Sequence, residues 1–365
     1  MLREKTAIGP GLMFMFLLAA LFGSGIMLAP QMAAEAIGPN GYWGVAVAGL
    51  LSLLVVAAAI GLGKRFPRQS IIAYLPRIYG VWLGKLLGLI FLLFLLAFGV
   101  LFLRAIADIF SSFFLFRSPY WATLGLILLA VAYPAYLGIE VISRQASFLF
   151  VAVYLLITVI LLMSFHNFQL DHVRPVLTGD PLRILHGGVR LFYCYYPLAM
   201  LFMVYQYFTE PRHGWKALGW AVLVIFVYLF LIVFGAIGVY GAKGVLRYSF
   251  PVLELTRKTT VPYLLQTFGL YFSFVWLSQV YITLAGLLYT TAQGCAEWFG
   301  ILNYKRFVLI VAPLVLVLAV AIPGAIDLRA LFKSFQNAGV WVAAVLPLLT
   351  WAAAWLFKRG EQNGP

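Results

Sequence analysis

The chain has 365 residues, of which 64% are hydrophobic and only 10% are charged, and it carries a formal net charge of +14. A soluble domain devotes about a quarter of its residues to charge, so this composition cannot cover a water-facing surface and excludes a soluble protein. The basic excess sits at the ends of long apolar stretches. It therefore reads as membrane topology rather than as a nucleic-acid footprint.

In chain order, ten apolar stretches are each near the length needed to cross a bilayer. They lie near 7–34, 41–63, 84–107, 119–138, 146–165, 184–209, 215–240, 265–292, 305–323 and 338–357. Backbone polar groups in lipid must be satisfied within the segment, so each is expected to be a helix and the fold class is all-α integral membrane. The N-terminus runs straight into the first stretch without a small-residue cleavage site, which predicts an uncleaved first span. Loops are short except around 166–183 and 241–264, and Pro251 to Lys258 in the second is amphipathic enough for a surface helix. With the N-terminus in the cytoplasm, fourteen Lys and Arg residues fall inside and ten outside, four of the ten in the long 241–264 loop, which weighs little in the rule. An even number of spans then puts both termini in the cytoplasm.

Ten spans divide into five plus five, within one transmembrane domain covering 1–365. Span 1 contains Gly23-Ser24-Gly25-Ile26 with Pro30 downstream, and span 6 contains Tyr193-Cys194-Tyr195-Tyr196-Pro197. Helix-breaking residues in corresponding spans of two halves predict inverted repeats, about 7–165 and 184–357, with helices 1 and 6 discontinuous and a binding site at the midplane. The backbone is expected to leave the helix within 22–26 and within 193–198. Gly23 and Gly25 permit this without a Cβ penalty, and Pro197 frees the carbonyl one turn earlier, near Tyr193.

The Gly-Ser-Gly-Ile run, Pro30 and the five-plus-five arrangement resemble the amino acid–polyamine–organocation transporter superfamily. Lys64-Arg65-Phe66-Pro67, Ser70-Ile71-Ile72-Ala73-Tyr74, Tyr79-Gly80 and Leu83-Gly84-Lys85-Leu86-Leu87-Gly88, with Gly38-Pro39-Asn40-Gly41-Tyr42-Trp43 before them, resemble the loops around span 2 of the endospore germination permease family. That resemblance implies the B subunit of a spore germinant receptor in the spore inner membrane. Its expected partners are a larger A subunit, a lipoprotein C subunit, membrane lipid and a small nutrient such as an amino acid. The other reading is a stand-alone secondary transporter of similar solutes.

An amino acid presents a carboxylate, which suits a half-helix N-terminus, and an ammonium, which suits freed carbonyls. If span 1 breaks at 23–25, the N–H groups of Ser24, Gly25 and Ile26 face the ligand. Gly25 is expected to stay small because the carboxylate approaches its backbone. Tyr193, Tyr196 and Phe192 would wall the ligand side chain, beside the carbonyl that Pro197 frees; the resemblance to the superfamily implies that span 8, which carries Gln279 with Ser273, Ser278 and Thr283, faces the same cavity. Arg104 and Asp108, four apart, share a helix face; the structural reading is an ion pair at the outer boundary with Arg104 snorkelling, and Arg190 is a candidate for the outer vestibule. Glu35 is expected to face solvent. Cys194 and Cys295 read as packing residues, and His166, His172, His186 and His213 lack metal-ligand spacing. Catalytic motifs and cofactor-binding loops are not found, and nucleic acid is not an expected partner.

Overall fold

A computed structural model describes residues 7–113, 119–174, 180–248, 250–258, 268–322 and 324–356. The ends at 1–6 and 357–365, and with them the charges of Arg3, Lys5, Lys358 and Arg359, lie outside the described residues, as does the expected start of span 8 at 265–267. Among the described residues the chain is helical, with one isolated bridge, a parallel pairing of Ile8 with Phe208.

The first expected span is a bent pair. Helix α1 (Pro10–Gly25) and helix α2 (Ala29–Ala36) meet at 58° across residues 26–28. Then follow α3 (Gly41–Arg65), the short amphipathic α4 (Ile71–Tyr79), α5 (Val81–Phe113), α6 (Tyr120–Leu137) and α7 (Ile139–Ser164). The second half holds α8 (Pro181–Leu191), a 3-10 run from Phe192 to Met200, α9 (Leu201–Val204), α10 (Trp220–Val245), α11 (Pro251–Lys258), α12 (Phe268–Trp298), α13 (Tyr304–Val320), α14 (Ala325–Val340) and α15 (Leu346–Leu356). The expected helix at 251–258 is α11, but it does not lie free on the surface: Pro251, Val252, Leu253 and Leu255 are buried, and it packs against α12 and α10. Among the described residues eight helical segments are long and apolar enough to cross a membrane, or nine with the bent pair counted as one span.

Burial orders these helices into a centre and a rim. Every residue from Phe16 to Met27 and every residue from Leu191 to Tyr205 is buried. A helix that is apolar all round belongs inside a bundle, and α1 with the 181–207 segment forms that centre. Helix α1 packs against α12, α7, α10 and the 3-10 run, whereas α2, turned away by the bend, packs against α10 and α8. Helices α6 and α7 leave most of one side free; Leu126, Leu129, Phe148, Leu155 and Leu162 are exposed there, as expected of a surface whose solvent is lipid.

Arg104 departs from its expectation. It does not snorkel: only 5% of it is exposed. It pairs with Asp108, its Nε donates to the Ile322 carbonyl at 3.4 Å, and its guanidinium carbon lies 4.0 Å from the Tyr120 ring centre. The Tyr120 hydroxyl donates back to the Arg104 carbonyl at 3.2 Å. The guanidinium thus ties α5 to the start of α6 and to the residues after α13, which is the structural role the sequence favoured. Exposed Glu35, near the end of α2, fits its expectation.

Removing one partner of a buried pair leaves the other charge uncompensated. Arg104→Met is therefore expected to cost about 3 kcal/mol, the low end of the usual range because the Asp108 side chain is one-third exposed. Adding Asp108→Leu should restore most of the loss. Thermal unfolding of the purified single and double variants checks both.

Candidate functional site

The bend in the first span lies one turn later than the glycines predict, and proline supplies the reason. Helix α1 stays helical through Gly25, so 22–25 is not the break. Pro30 has no N–H to give the carbonyl of Ile26 four residues back, and its ring crowds that carbonyl. The backbone at Ile26 (φ −64°, ψ −35°) and Leu28 (φ −97°, ψ −14°) remains right-handed, so glycine freedom is not what turns the chain. The N–H groups of Ser24 and Gly25 therefore lie in the closing turn of α1, with Ile26 at its cap, and do not open a new helix. The half-helix N-terminus belongs to α2, where Ala29 and Gln31 carry the N–H groups of the first turn and Pro30 has none.

The two glycines serve close approach instead. A Cβ on Gly23 would collide with Thr283 Oγ1 and come within 2.6 Å of the Gln279 carbonyl oxygen; a Cβ on Gly25 would come within 2.5 Å of both Cα and Cβ of Cys194. Through Gly23 the α1 backbone touches α12, and through Gly25 it touches the 3-10 run. The Thr283 hydroxyl donates to the Ala20 carbonyl at 3.1 Å. Gln279 is buried, and its amide nitrogen donates to Ser278 Oγ at 3.1 Å.

Span 6 does not leave the helix within 193–198 as expected: it runs on as one helical segment that tightens to 3-10 winding through 192–200. In that winding each N–H reaches three residues back, so the donor missing at Pro197 is withdrawn from Cys194 rather than from Tyr193. The Ser24 hydroxyl lies 3.5 Å from that Cys194 oxygen, and the Cys194 thiol lies 3.5 Å from the Gly25 carbonyl. The two centres of the bundle are thus joined at their irregular points by long, reciprocal contacts.

A 3-10 run with three residues per turn has three faces. Cys194, Pro197 and Met200 form the face toward α1 and α12. Tyr193 and Tyr196 form another, set against α5 and α14: Tyr196 meets Phe94 at 5.5 Å and Phe335 at 5.8 Å between ring centres, and Tyr193 meets Phe98 at 6.2 Å and Phe332 at 5.8 Å. The Tyr196 hydroxyl donates to the Gln336 carbonyl at 2.5 Å. The structure therefore brings Ser24 and Gly25 to Cys194 on one side of α1 and Gly23 to Gln279 on the other. It seats both tyrosines in an aromatic cluster with α5 and α14. Ile26 begins the bend, and Arg190 is exposed in α8.

Sequence reasoning passed over Glu297, in the last turn of α12. Its carboxylate accepts from Ser70 Oγ, from Gln206 Nε2 at 3.1 Å and from Gln293 Nε2 at 2.8 Å. Ser70 precedes α4, and Gln206 closes the span that holds the 3-10 run. Beside Gln206, the Ile8 N–H donates to the Tyr207 carbonyl at 2.9 Å and the Thr209 N–H to the Ile8 carbonyl at 3.1 Å. These bonds fasten the start of α1, the end of span 6 and the end of α12 at one end of the bundle. The available signal was Gln293 four residues before Glu297 in an otherwise apolar helix.

Two outcomes follow. Gly25→Val, expected from sequence to block ligand while leaving the protein intact, should instead lower the yield of folded protein, because two backbones must separate. Gly125→Val, with open space at its Cβ position, should not; size-exclusion recovery from detergent compares them. Glu297→Leu strands three donors and should lower thermal stability by about 2 kcal/mol or more, whereas Glu297→Gln, which keeps acceptor oxygen, should lose less.

Comparison with known proteins agrees with this architecture. The chain aligns over 347 residues with spore germination protein YndE of Bacillus subtilis (strain 168), at 24% identity and 94% of each chain. It is 23% identical to spore germination protein B2 of the same organism, over 93% of each chain. Among solved structures it resembles MhsT in complex with L-phenylalanine (TM-score 0.68, 12% identity, 94% of this chain and 88% of that one). It also resembles a Na+-coupled sialic acid symporter (TM-score 0.65, 14% identity, 93% and 80%). These likenesses assign a transporter fold. The family described as spore germination protein matches residues 7–326, and the chain belongs to this family of spore permeases.

Proposed function

We propose that this protein is the membrane-embedded B subunit of a nutrient germinant receptor, working in the spore inner membrane with A and C subunits. It binds a small nutrient, of which an amino acid is the expected class, at the bend of the first span. The observation that carries this reading is the pairing of two irregular segments, 26–28, buried at Ile26 and Met27, and 192–200, buried throughout, at the centre of a transporter-like bundle. Irregular backbone at membrane depth is tolerated where protein buries it or where it lines a cavity, and it frees polar groups for a ligand. The ligand carboxylate sits at the N-terminus of α2, beside Ala29 and Gln31, and Gly23, Ser24, Gly25, Ile26, Pro197 and Gln279 surround it. Tyr193 and Tyr196 support the pocket from behind.

In this reading α13 is the tenth span. Its seventeen residues give about 26 Å of helix at 1.5 Å per residue, close to the hydrocarbon thickness. The ten spans form two inverted repeats, about 7–165 and 184–357, with both termini cytoplasmic.

Binding and transport are separable. In purified protein, thermal shift with the twenty common L-amino acids is expected to single out at least one ligand, and liposomes bearing the protein should not accumulate it. Accumulation would favour the stand-alone transporter; the absence of any amino-acid shift would remove the proposed ligand class.

A further inference from the structure

Tyr196 reaches past the aromatic cluster into the backbone of α14. Its hydroxyl donates to the Gln336 carbonyl at 2.5 Å, and the Val340 backbone hydrogen-bonds to the same hydroxyl. In an α-helix the N–H of residue 340 and the carbonyl of residue 336 are partners, so the phenol oxygen sits astride one rung of the ladder. A side chain inserted there is a recognised cause of helix irregularity. The turn that follows, Trp341–Val345, is a π turn. On its far side Pro347 has no N–H for the Ala343 carbonyl and crowds it. The irregular turn thus lies between two interruptions, one from within span 10 and one imposed by span 6.

The two halves of span 10 are held differently. Helix α15 packs against α3 and α4, whereas α14 packs against α5, α8 and the 3-10 run. From Asp327 to Val340 the buried residues are Leu328, Phe332 and Gly339, with Phe335 half-buried between them, while Arg329, Lys333, Ser334 and Asn337 are exposed. Steps of four, three and four put the buried residues on one stripe. A helix attached along a single stripe has few contacts to lose on opening. That stripe closes on span 6: Phe332 meets Tyr193, Phe335 meets Tyr196, and a Cβ on Gly339 would collide with the Tyr196 ring. The Gln336 amide nitrogen also lies 3.6 Å from Met32 Sδ, so α14 touches the half-helix beyond the bend as well.

We infer that α14 is the hinged half of span 10, that the π turn is its hinge, and that the Tyr196 hydroxyl is the catch that holds it closed on span 6. The winding of span 6 then governs the catch. A residue of 3-10 helix turns about 120° and one of α-helix about 100°. Relaxing the four steps from Phe192 to Tyr196 into α-helix would therefore swing Tyr196 by about 80° and withdraw its hydroxyl from α14. The catch belongs to spans 6 and 10 and holds whatever the ligand is.

The test follows a cysteine placed in the buried stripe, Leu328→Cys, in full-length protein reconstituted in nanodiscs. A water-soluble maleimide is the probe, and mass spectrometry resolves the labelled site. Ala354→Cys, at a buried position of α15, is the control. Adding Tyr196→Phe, which removes the hydroxyl and keeps the ring, should speed labelling at Leu328→Cys by about 3- to 10-fold, as expected for the loss of one net hydrogen bond. Labelling at Ala354→Cys should not change. Gly339→Ala, which pushes α14 off the Tyr196 ring while span 6 keeps its own sequence, should also speed labelling at Leu328→Cys. An unchanged rate with Tyr196→Phe overturns the catch. Equal acceleration at both cysteines overturns it too, since that marks general loosening, and an unchanged rate with Gly339→Ala overturns the hinge.

Discussion

The contact between Gly25 and Cys194 is the constraint on which the centre of this molecule depends. At that point the α1 backbone lies so close to the 3-10 run that a single Cβ has no room. Lipid supplies no hydrophobic drive between helices, so association rests on packing and on polar groups that find partners across the interface. Here the two combine. Glycine permits the approach, and Pro197 leaves the Cys194 carbonyl without its local donor, 3.5 Å from the hydroxyl of Ser24. The weak thiol and the long hydroxyl contact are modest bonds, so close packing does most to hold the junction.

Around this junction the two irregular spans divide the work. The first bends and points its second half, α2, toward α10 and α8. The sixth stays aligned but winds more tightly, so that its side chains fall into three separate faces. One face belongs to α1, one to α3 and α8, and one to the aromatic cluster with α5 and α14. An aromatic cluster of this kind buries large areas with few rotatable bonds, and it holds the 3-10 run rigidly from the side opposite α1. The Tyr196 bond to the Gln336 carbonyl extends this support to α14.

Both ends of the bundle are tied by charge. Toward one end Arg104 and Asp108 bring α5, Tyr120 and Ile322 together. Toward the other, Glu297 gathers donors from three separate segments while the Ile8 bridge pins the start of α1 to the end of span 6. Ionisable groups are costly at membrane depth and persist where they are paired or hydrogen-bonded. Their placement at the ends leaves the midplane neutral, where the candidate site relies on backbone and amide groups.

The amino-acid sequence by itself determined the membrane class, the order of the apolar segments, the helix at 251–258 and the presence of irregularities near 25 and 195. Those follow from hydropathy and from glycine and proline, whose effects are local. It also carried the family, because the loop motifs around 38–43 and 64–88 are short stretches whose identity survives without a fold. Only the tertiary structure decided what each irregularity does. Pro30, not Gly23 or Gly25, turns the first span, because the missing donor acts four residues upstream while the glycines answer to Cys194 and α12, partners remote in sequence. The 3-10 winding shifted the freed carbonyl from Tyr193 to Cys194 and carried both tyrosines away from the bend, a change in period that composition does not announce. Glu297 looked unremarkable at the end of its helix; its meaning came from the segments that fold against it.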